Sequence, residues 1–208
     1  MKRRLITFEG SEGCGKTTQI ARLKERLESL GEQVVVTREP GGTALGEAIR
    51  HLLKDAPEGR HMGARAELLL FSASRAELVG KVIAPALDDG AWVLCDRFID
   101  STVVYQGSAR GLAMEMIGRL NDFATAGVRP GLTFLLDLSP EKAAERLQAR
   151  ATKDRIEEED EAFFARVRDG FLRLAEVEPH RIKRIDADGS PEAVAEAVWK
   201  HFTEAFVL

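Results

Sequence analysis

Gly10-Ser11-Glu12-Gly13-Cys14-Gly15-Lys16-Thr17-Thr18 follows directly on the apolar run Leu5-Ile6-Thr7-Phe8, and a segment with Ile20, Leu23, Leu27 and Leu30 at helical spacing follows it. A glycine, four residues, then Gly15-Lys16-Thr17 is the spacing of a phosphate-binding loop that joins a buried strand to a helix. Glycines let successive N–H groups turn inward onto phosphate oxygens, and the following helix aims its positive end at the same charge. Lys16 is then placed to reach β- and γ-phosphates, and the Thr17 hydroxyl to ligate Mg²⁺. Without the strand and the helix the same residues would make an ordinary glycine-rich turn; with them, Gly10 through Thr18 predicts a triphosphate cradle.

Working outward, apolar runs and helical patterns alternate along the chain. Val34-Val35-Val36 inside Gln33 to Thr37 reads as a second buried strand, and Arg38-Glu39-Pro40-Gly41-Gly42-Thr43 breaks the pattern before a helix from about Thr43 to Leu53. Ala64 to Asp88 is helical by period with a bend expected near Gly80 or Pro85, Trp92 to Cys95 is a third strand, and Ile99 to Ala126 is mostly helical with a break around Gly107 to Gly111. Leu132 to Leu138 is a fourth strand, Ser139-Pro140-Glu141 starts a helix to about Arg150, and a charged stretch runs to Glu161. A helix from Ala162 to Val177, a strand from Ile182 to Ile185 and a helix from Pro191 to Phe206 complete the order. Strands apolar on both faces and separated by helices imply an α/β fold, a parallel sheet covered on both sides, with ligands at the carboxyl ends of the strands.

With 208 residues, 44% apolar and 31% charged, the chain fits one globular domain, 1–208, with a core of useful size. A net charge of −4 gives no electrostatic footprint for duplex nucleic acid. The apolar run after Met1-Lys2-Arg3-Arg4 is too short for a secretory leader, and no stretch is long enough to span a bilayer, so a cytoplasmic chain is expected. Two cysteines, Cys14 and Cys95, do not make a disulfide framework, and four unpaired histidines argue against structural zinc.

FEGSEGCGKTT, TREPGGT, DRFIDSTVVYQG and a basic stretch ending in DRIE, in that order, resemble the bacterial thymidylate kinases over nearly the whole chain. Four motifs together are far more specific than any one. The resemblance implies a three-layer P-loop kinase fold with a five-stranded parallel sheet, a mobile lid over about residues 146–160, ATP as phosphoryl donor with Mg²⁺, dTMP as acceptor and a homodimer. It places ATP on Gly10, Ser11, Glu12, Gly13, Cys14, Gly15, Lys16, Thr17 and Thr18, metal on Thr17 and Asp96, and a cis bond before Pro40. For dTMP it implies Glu12, Arg38, Arg50, Phe71, Arg75, Arg97, Thr102, Tyr105 and Gln106. Phe71 would stack on the thymine, Arg75 donate to a base carbonyl, and the segment with Thr102, Tyr105 and Gln106 hold the base edge and exclude a ribose 2′-hydroxyl.

Several of these residues have plainer readings when taken alone. Phe71, among Leu68, Leu69 and Leu70, reads as core; Arg38 and Arg50 read equally as solvated cations, with Arg50 the better match to an acceptor-phosphate ligand. Arg146, Arg150 and Arg155 lie in what composition alone would call a solvated helix end. Transfer of a phosphoryl group nevertheless needs cations on it, and the loop supplies only Lys16, so Lys16, Arg97 and Arg150 are the expected catalytic set. Cys14 beside a helix N-terminus reads as a small residue that fits, or as a thiol whose modification blocks ATP. The rivals are a kinase for another nucleoside monophosphate and a GTP-binding switch. The second is weak, because the sole asparagine, Asn121, does not sit in an Asn-Lys-x-Asp motif.

Overall fold

The computed structural model describes residues 4–148 and 154–206. In chain order these form β1 (Leu5–Glu9), α1 (Lys16–Ser29), β2 (Val34–Arg38), α2 (Ala44–Lys54), α3 (Ala64–Leu78), α4 (Ala84–Asp88) and β3 (Trp92–Asp96). Then come α5 (Ile99–Thr102), α6 (Met114–Thr125), β4 (Leu132–Asp137), α7 (Pro140–Gln148), α8 (Glu161–Val177), β5 (Ile182–Asp186) and α9 (Pro191–Ala205). The strands make one parallel sheet in the order β2-β3-β1-β4-β5, with Phe8 of β1 opposite Asp96 of β3 on one side and Phe134 of β4 on the other. From β1 the chain crosses to the edge strand β2 and returns inward to β3, then passes to β4 and β5 on the other side, so the connections after β1 and β3 leave in opposite directions from neighbouring strands.

Alternation along each strand feeds two layers of helices. Ile6, Phe8, Trp92, Leu94, Phe134 and Leu136 point to one face, against Ile20, Leu23 and Leu27 of α1 and Val194, Val198 and Phe202 of α9. Leu5, Val93 and Cys95 point to the other, against Leu78, Val79, Ile83 and Leu87. Further along that second face Leu135 and Ile182 meet Val104, Phe163, Val167 and Phe171.

Three sequence expectations shift. Val34-Val35-Val36 is an edge strand, with Val36 46% exposed, because β2 ends the sheet and pairs only with β3. Helix α1 begins at Lys16, because Gly15 at φ 95° closes the loop in a left-handed turn that most side chains disfavour. The expected bend near Gly80 or Pro85 is a π-helical stretch, Val79–Ile83, joining α3 to α4. Pro85 has no N–H to give an unbroken α-helix, and the wider turns just before it take up that defect. A second π-helical stretch, Val103–Ala109, continues α5.

Candidate functional site

The apex of β1 turns into α1 through a loop whose glycines are demanded by geometry. Gly10 has φ 133°, and a Cβ there would lie 2.4 Å from the Leu136 carbonyl oxygen. With Gly13 at φ 74° and Gly15 at φ 95°, the loop curls around the buried Lys16. Lys16 Nζ donates to the carbonyls of Ser11 (2.9 Å) and Gly10 (3.4 Å). Burial and neighbouring Arg97 oppose its charge, but Cys14, Glu12 and Asp96 together prevail and raise its pKa, so Lys16 is a fixed ammonium. Cys14 is 2% exposed and packs in the core with Ile20 and Phe134, which favours the small residue that fits over a reactive thiol.

From the end of β3, Arg97 reaches the same loop. Its backbone is left-handed at φ 68°, and its guanidinium donates to Gly10 O (2.8 Å), Ser101 Oγ (3.2 Å) and Glu12 Oε1 (2.9 Å). Burial alone would favour a neutral Glu12, yet Arg97, Lys16 and Lys54 outweigh it and hold the carboxyl far below the usual carboxylate range. The acid that would repel phosphates is thus already compensated. Beneath the turn, Glu9 accepts from Phe98 N (2.8 Å), Ser101 N (3.3 Å) and Ser101 Oγ (2.6 Å). Burial, with Asp100 adding to it, lifts the Glu9 carboxyl to about 7 against the pull of Arg97.

The loop after β2 carries a cis Glu39–Pro40 bond. Its Glu39 meets Arg75 of α3 in the interior: Arg75 Nε lies 3.0 and 2.9 Å from the two carboxylate oxygens. Nη1 donates to Asn121 Oδ1 (2.7 Å) and Nη2 to Phe98 O (3.1 Å), leaving Arg75 1% exposed. Burial pushes the Glu39 carboxyl up and Arg75 opposes it. On the same side Arg50 donates to Pro40 O (3.0 Å) and Arg38 pairs with Glu47 (2.9 Å).

All of this surrounds one cleft of about 340 Å³. Its wall includes Glu12, Gly13, Gly15, Lys16, Thr17, Thr18, Asp96 and Arg97, together with Arg38, Arg50, Phe71, Arg75, Thr102, Tyr105 and Gln106. The π-helical stretch brings the successive residues Tyr105 and Gln106 to the cavity together with Thr102. The Tyr105 hydroxyl is buried there, with no hydrogen-bond partner among the described residues, 5.2 Å separating its ring from the Arg97 guanidinium carbon. Such an orphaned group in a cavity marks a place where a ligand atom is expected.

Not every expected residue converges. Gly10, Ser11 and Cys14 belong to the loop but not to the cleft wall, and Arg146 reaches the wall while donating to Gly13 O and Ala187 O. Arg155 is not among the lining side chains: it is spent on Leu53 O (2.9 Å) and Glu67 (2.6 Å). Arg150 lies outside the described residues. Residues absent from the sequence expectation include Glu9, Glu39, Lys54, Glu67, Ser101 and Asn121. Glu9, Glu39 and Ser101 stood inside the quoted motifs, and Asn121 as the sole asparagine could have signalled a buried polar role.

Comparison with known proteins gives one answer. The thymidylate kinase family model matches residues 8–198. The chain is 48% identical over 209 residues to a thymidylate kinase of Syntrophotalea carbinolica, covering 98% of this chain and 96% of that protein. It is 55% identical over 194 residues to one from a Synechococcus strain, covering 93% and 92%. A crystal structure of thymidylate kinase from Ehrlichia chaffeensis superposes with a TM-score of 0.79 at 37% identity, over 95% of this chain and 97% of that one.

Proposed function

The chain belongs to the thymidylate kinase family, and from that premise we propose how its cleft carries out the ATP-dependent phosphorylation of dTMP to dTDP. The observation that carries the assignment of roles is that the phosphate loop and the aromatic, hydrogen-bonding pocket open into one cavity, with Arg97 between them. ATP lies along Gly10 to Thr18, its phosphates on the loop N–H groups and Lys16. The dTMP base lies between Phe71 and the Thr102, Tyr105 and Gln106 face, with Arg75 at a base carbonyl and Arg38 and Arg50 near its phosphate. Packed against the sugar, Tyr105 discriminates against a 2′-hydroxyl, and its unpartnered hydroxyl supports a ligand there.

The acceptor is a phosphate with a second pKa of about 6, so its oxygen is largely ionised at neutral pH and no general base is required. That oxygen attacks the γ-phosphorus, the bond from γ-phosphorus to the bridging oxygen breaks, and ADP leaves. Catalysis is then positioning and charge neutralisation. Lys16 holds the transferring group, Arg97 joins donor and acceptor phosphates, and Glu12 fixes Arg97 between them. Thr17 and Asp96 both line the cleft, and Asp96 forms no ion pair among the described residues, which suits a hydroxyl and a carboxylate for Mg²⁺. When bound, the ion supplies further neutralisation of phosphate charge.

We assign the lid to about residues 146–160 of a single domain spanning 1–208, with Arg150 as its catalytic arginine, Arg146 beside it and Arg155 at its root. A homodimer is proposed on the exposed Leu69 of α3 and Met116 and Phe123 of α6. Buried free thiols at Cys14 and Cys95 support a cytoplasmic location, and no described helix is long and apolar enough to cross a membrane. A coupled assay with ATP and Mg²⁺ across the nucleoside monophosphates tests the substrate reading. dTMP and dUMP should lead UMP, CMP, AMP and GMP; equal turnover of UMP sinks the Tyr105 sugar assignment, and equal turnover of CMP, AMP or GMP sinks the base-pocket assignment. Arg150→Ala should lower kcat well over tenfold with dTMP affinity little changed, and unchanged kcat removes Arg150 from its role.

A further inference from the structure

Glu67, in the first turn of α3, is 1% exposed and outside the cleft wall, yet it takes hydrogen bonds from three side chains. Gln106 Nε2 donates to Oε1 at 2.9 Å, Arg110 closes a fork on both oxygens at 3.2 Å each, and Arg155 Nη2 donates to Oε2 at 2.6 Å. Burial opposes the charge on Glu67, but these bonds outweigh it and hold the carboxyl below its ordinary range. An ionised carboxylate can only accept. Gln106 must therefore turn its NH₂ toward Glu67, which leaves its Oε1 as the amide atom offered to the cleft.

We propose that Glu67 is a positioning residue that sets base choice: by holding the Gln106 amide NH₂, it makes the pocket present a hydrogen-bond acceptor to the base edge. Thymine and uracil carry a donor, N3–H, on that edge; cytosine carries an acceptor at N3, and the two lone pairs would face each other. The inference rests on the reading that Gln106 meets the base. Arg155 and Arg110 give Glu67 a second tie. Arg155 also binds Leu53 O at the end of α2, and Arg110 pairs with Glu159 at 2.6 Å, so the segment following the undescribed residues is anchored to the same carboxylate.

The decisive variant is Glu67→Gln. Arg110 and Arg155 would claim its amide oxygen, its NH₂ would then donate to Gln106 Oε1, and Gln106 would flip to offer NH₂ to the cleft. The readout is the ratio of kcat/KM for dTMP to that for 5-methyl-dCMP, which keeps the methyl group and inverts the donor pattern. Loss of folded enzyme lowers both values and leaves the ratio alone. A misoriented buried amide is worth between about fivefold and a hundredfold, so the ratio should fall by at least about fivefold; an unchanged ratio overturns the proposal. Gln106→Leu separates the two layers. If it collapses the ratio while Glu67→Gln does not, Glu67 is not the determinant and the base contact stands; if it leaves the ratio unchanged, the base contact itself fails. Should Glu67→Gln not fold, the wild-type side-chain amide protons of Gln106 can be followed by NMR, assigned by their loss in Gln106→Leu. Slow exchange without nucleotide supports the held NH₂, and exchange at the free-amide rate overturns it.

Discussion

Removing the arginine from the interior pair at the cleft, Arg75→Met, is the sharpest test of how the site is built. The change strips Glu39, 5% exposed, of its only cation among the described residues within ion-pair distance, and it takes the donor from Asn121 Oδ1 and from Phe98 O. Breaking a buried pair from one side costs about 3–5 kcal/mol, a large part of the roughly 5–15 kcal/mol that a domain has in total. With a urea slope of about 2 kcal/mol per molar, the unfolding midpoint should fall by roughly 1.5–2.5 M. Glu39→Met/Arg75→Met removes both charges and should recover at least about 2 kcal/mol of the single variant's loss, since the stranded carboxylate is gone. A pH series adds a sign. Burial already lifts the Glu39 carboxyl, and losing Arg75 lifts it further. A carboxyl with its folded pKa above the unfolded value binds more protons in the fold, so its contribution is full below the unfolded pKa and is lost as pH rises toward the folded one. The Arg75→Met deficit should therefore be smaller at pH 5 than at pH 8. A single-variant loss under about 1 kcal/mol, or a double variant no more stable than the single, refutes the argument.

Gly10→Ala combines a forbidding φ of 133° with a Cβ 2.4 Å from Leu136 O, and should lower stability by about 2–4 kcal/mol in urea unfolding. Glu9 is lifted to about 7 by burial, so its ionisation takes stability away as pH rises from about 4.5 to 7. Glu9→Gln should thus gain on the wild type between pH 5 and pH 7.5, and parallel midpoints across that range would count against it. Glu12→Ala frees Arg97 from its 2.9 Å anchor; kcat/KM for dTMP should drop by about a hundredfold in steady-state kinetics, because small misplacements of a positioned group are that costly.

The layer order and the cationic half of the site were legible because both are written in short-range pattern. Continuous apolar runs set β1, β3 and β4, and the glycine spacing before Lys16 set the loop. The edge position of β2 was not legible, since Val34-Val35-Val36 looks the same whether one strand or two lie beside it. Nor was the wall behind the site. Arg75 finds Glu39 across 36 residues, Gln106 finds Glu67 across 39, and Arg155 finds the same Glu67 across 88. No local period encodes such pairs; only the crossing of elements from different parts of the sheet creates them. Substrate-facing groups announce themselves through motifs because a phosphate or a base dictates their type. Their partners answer to a different constraint: clustered cations repel one another, so several are held by a carboxylate nearby and others, as with Lys16 and Arg50, by backbone carbonyls. Glu12 serves Arg97, Glu39 serves Arg75, and Asp154 serves Lys54 at 2.6 Å. Reading a phosphate site from sequence therefore finds the cations first, and the acids that keep them in place must be sought in the fold.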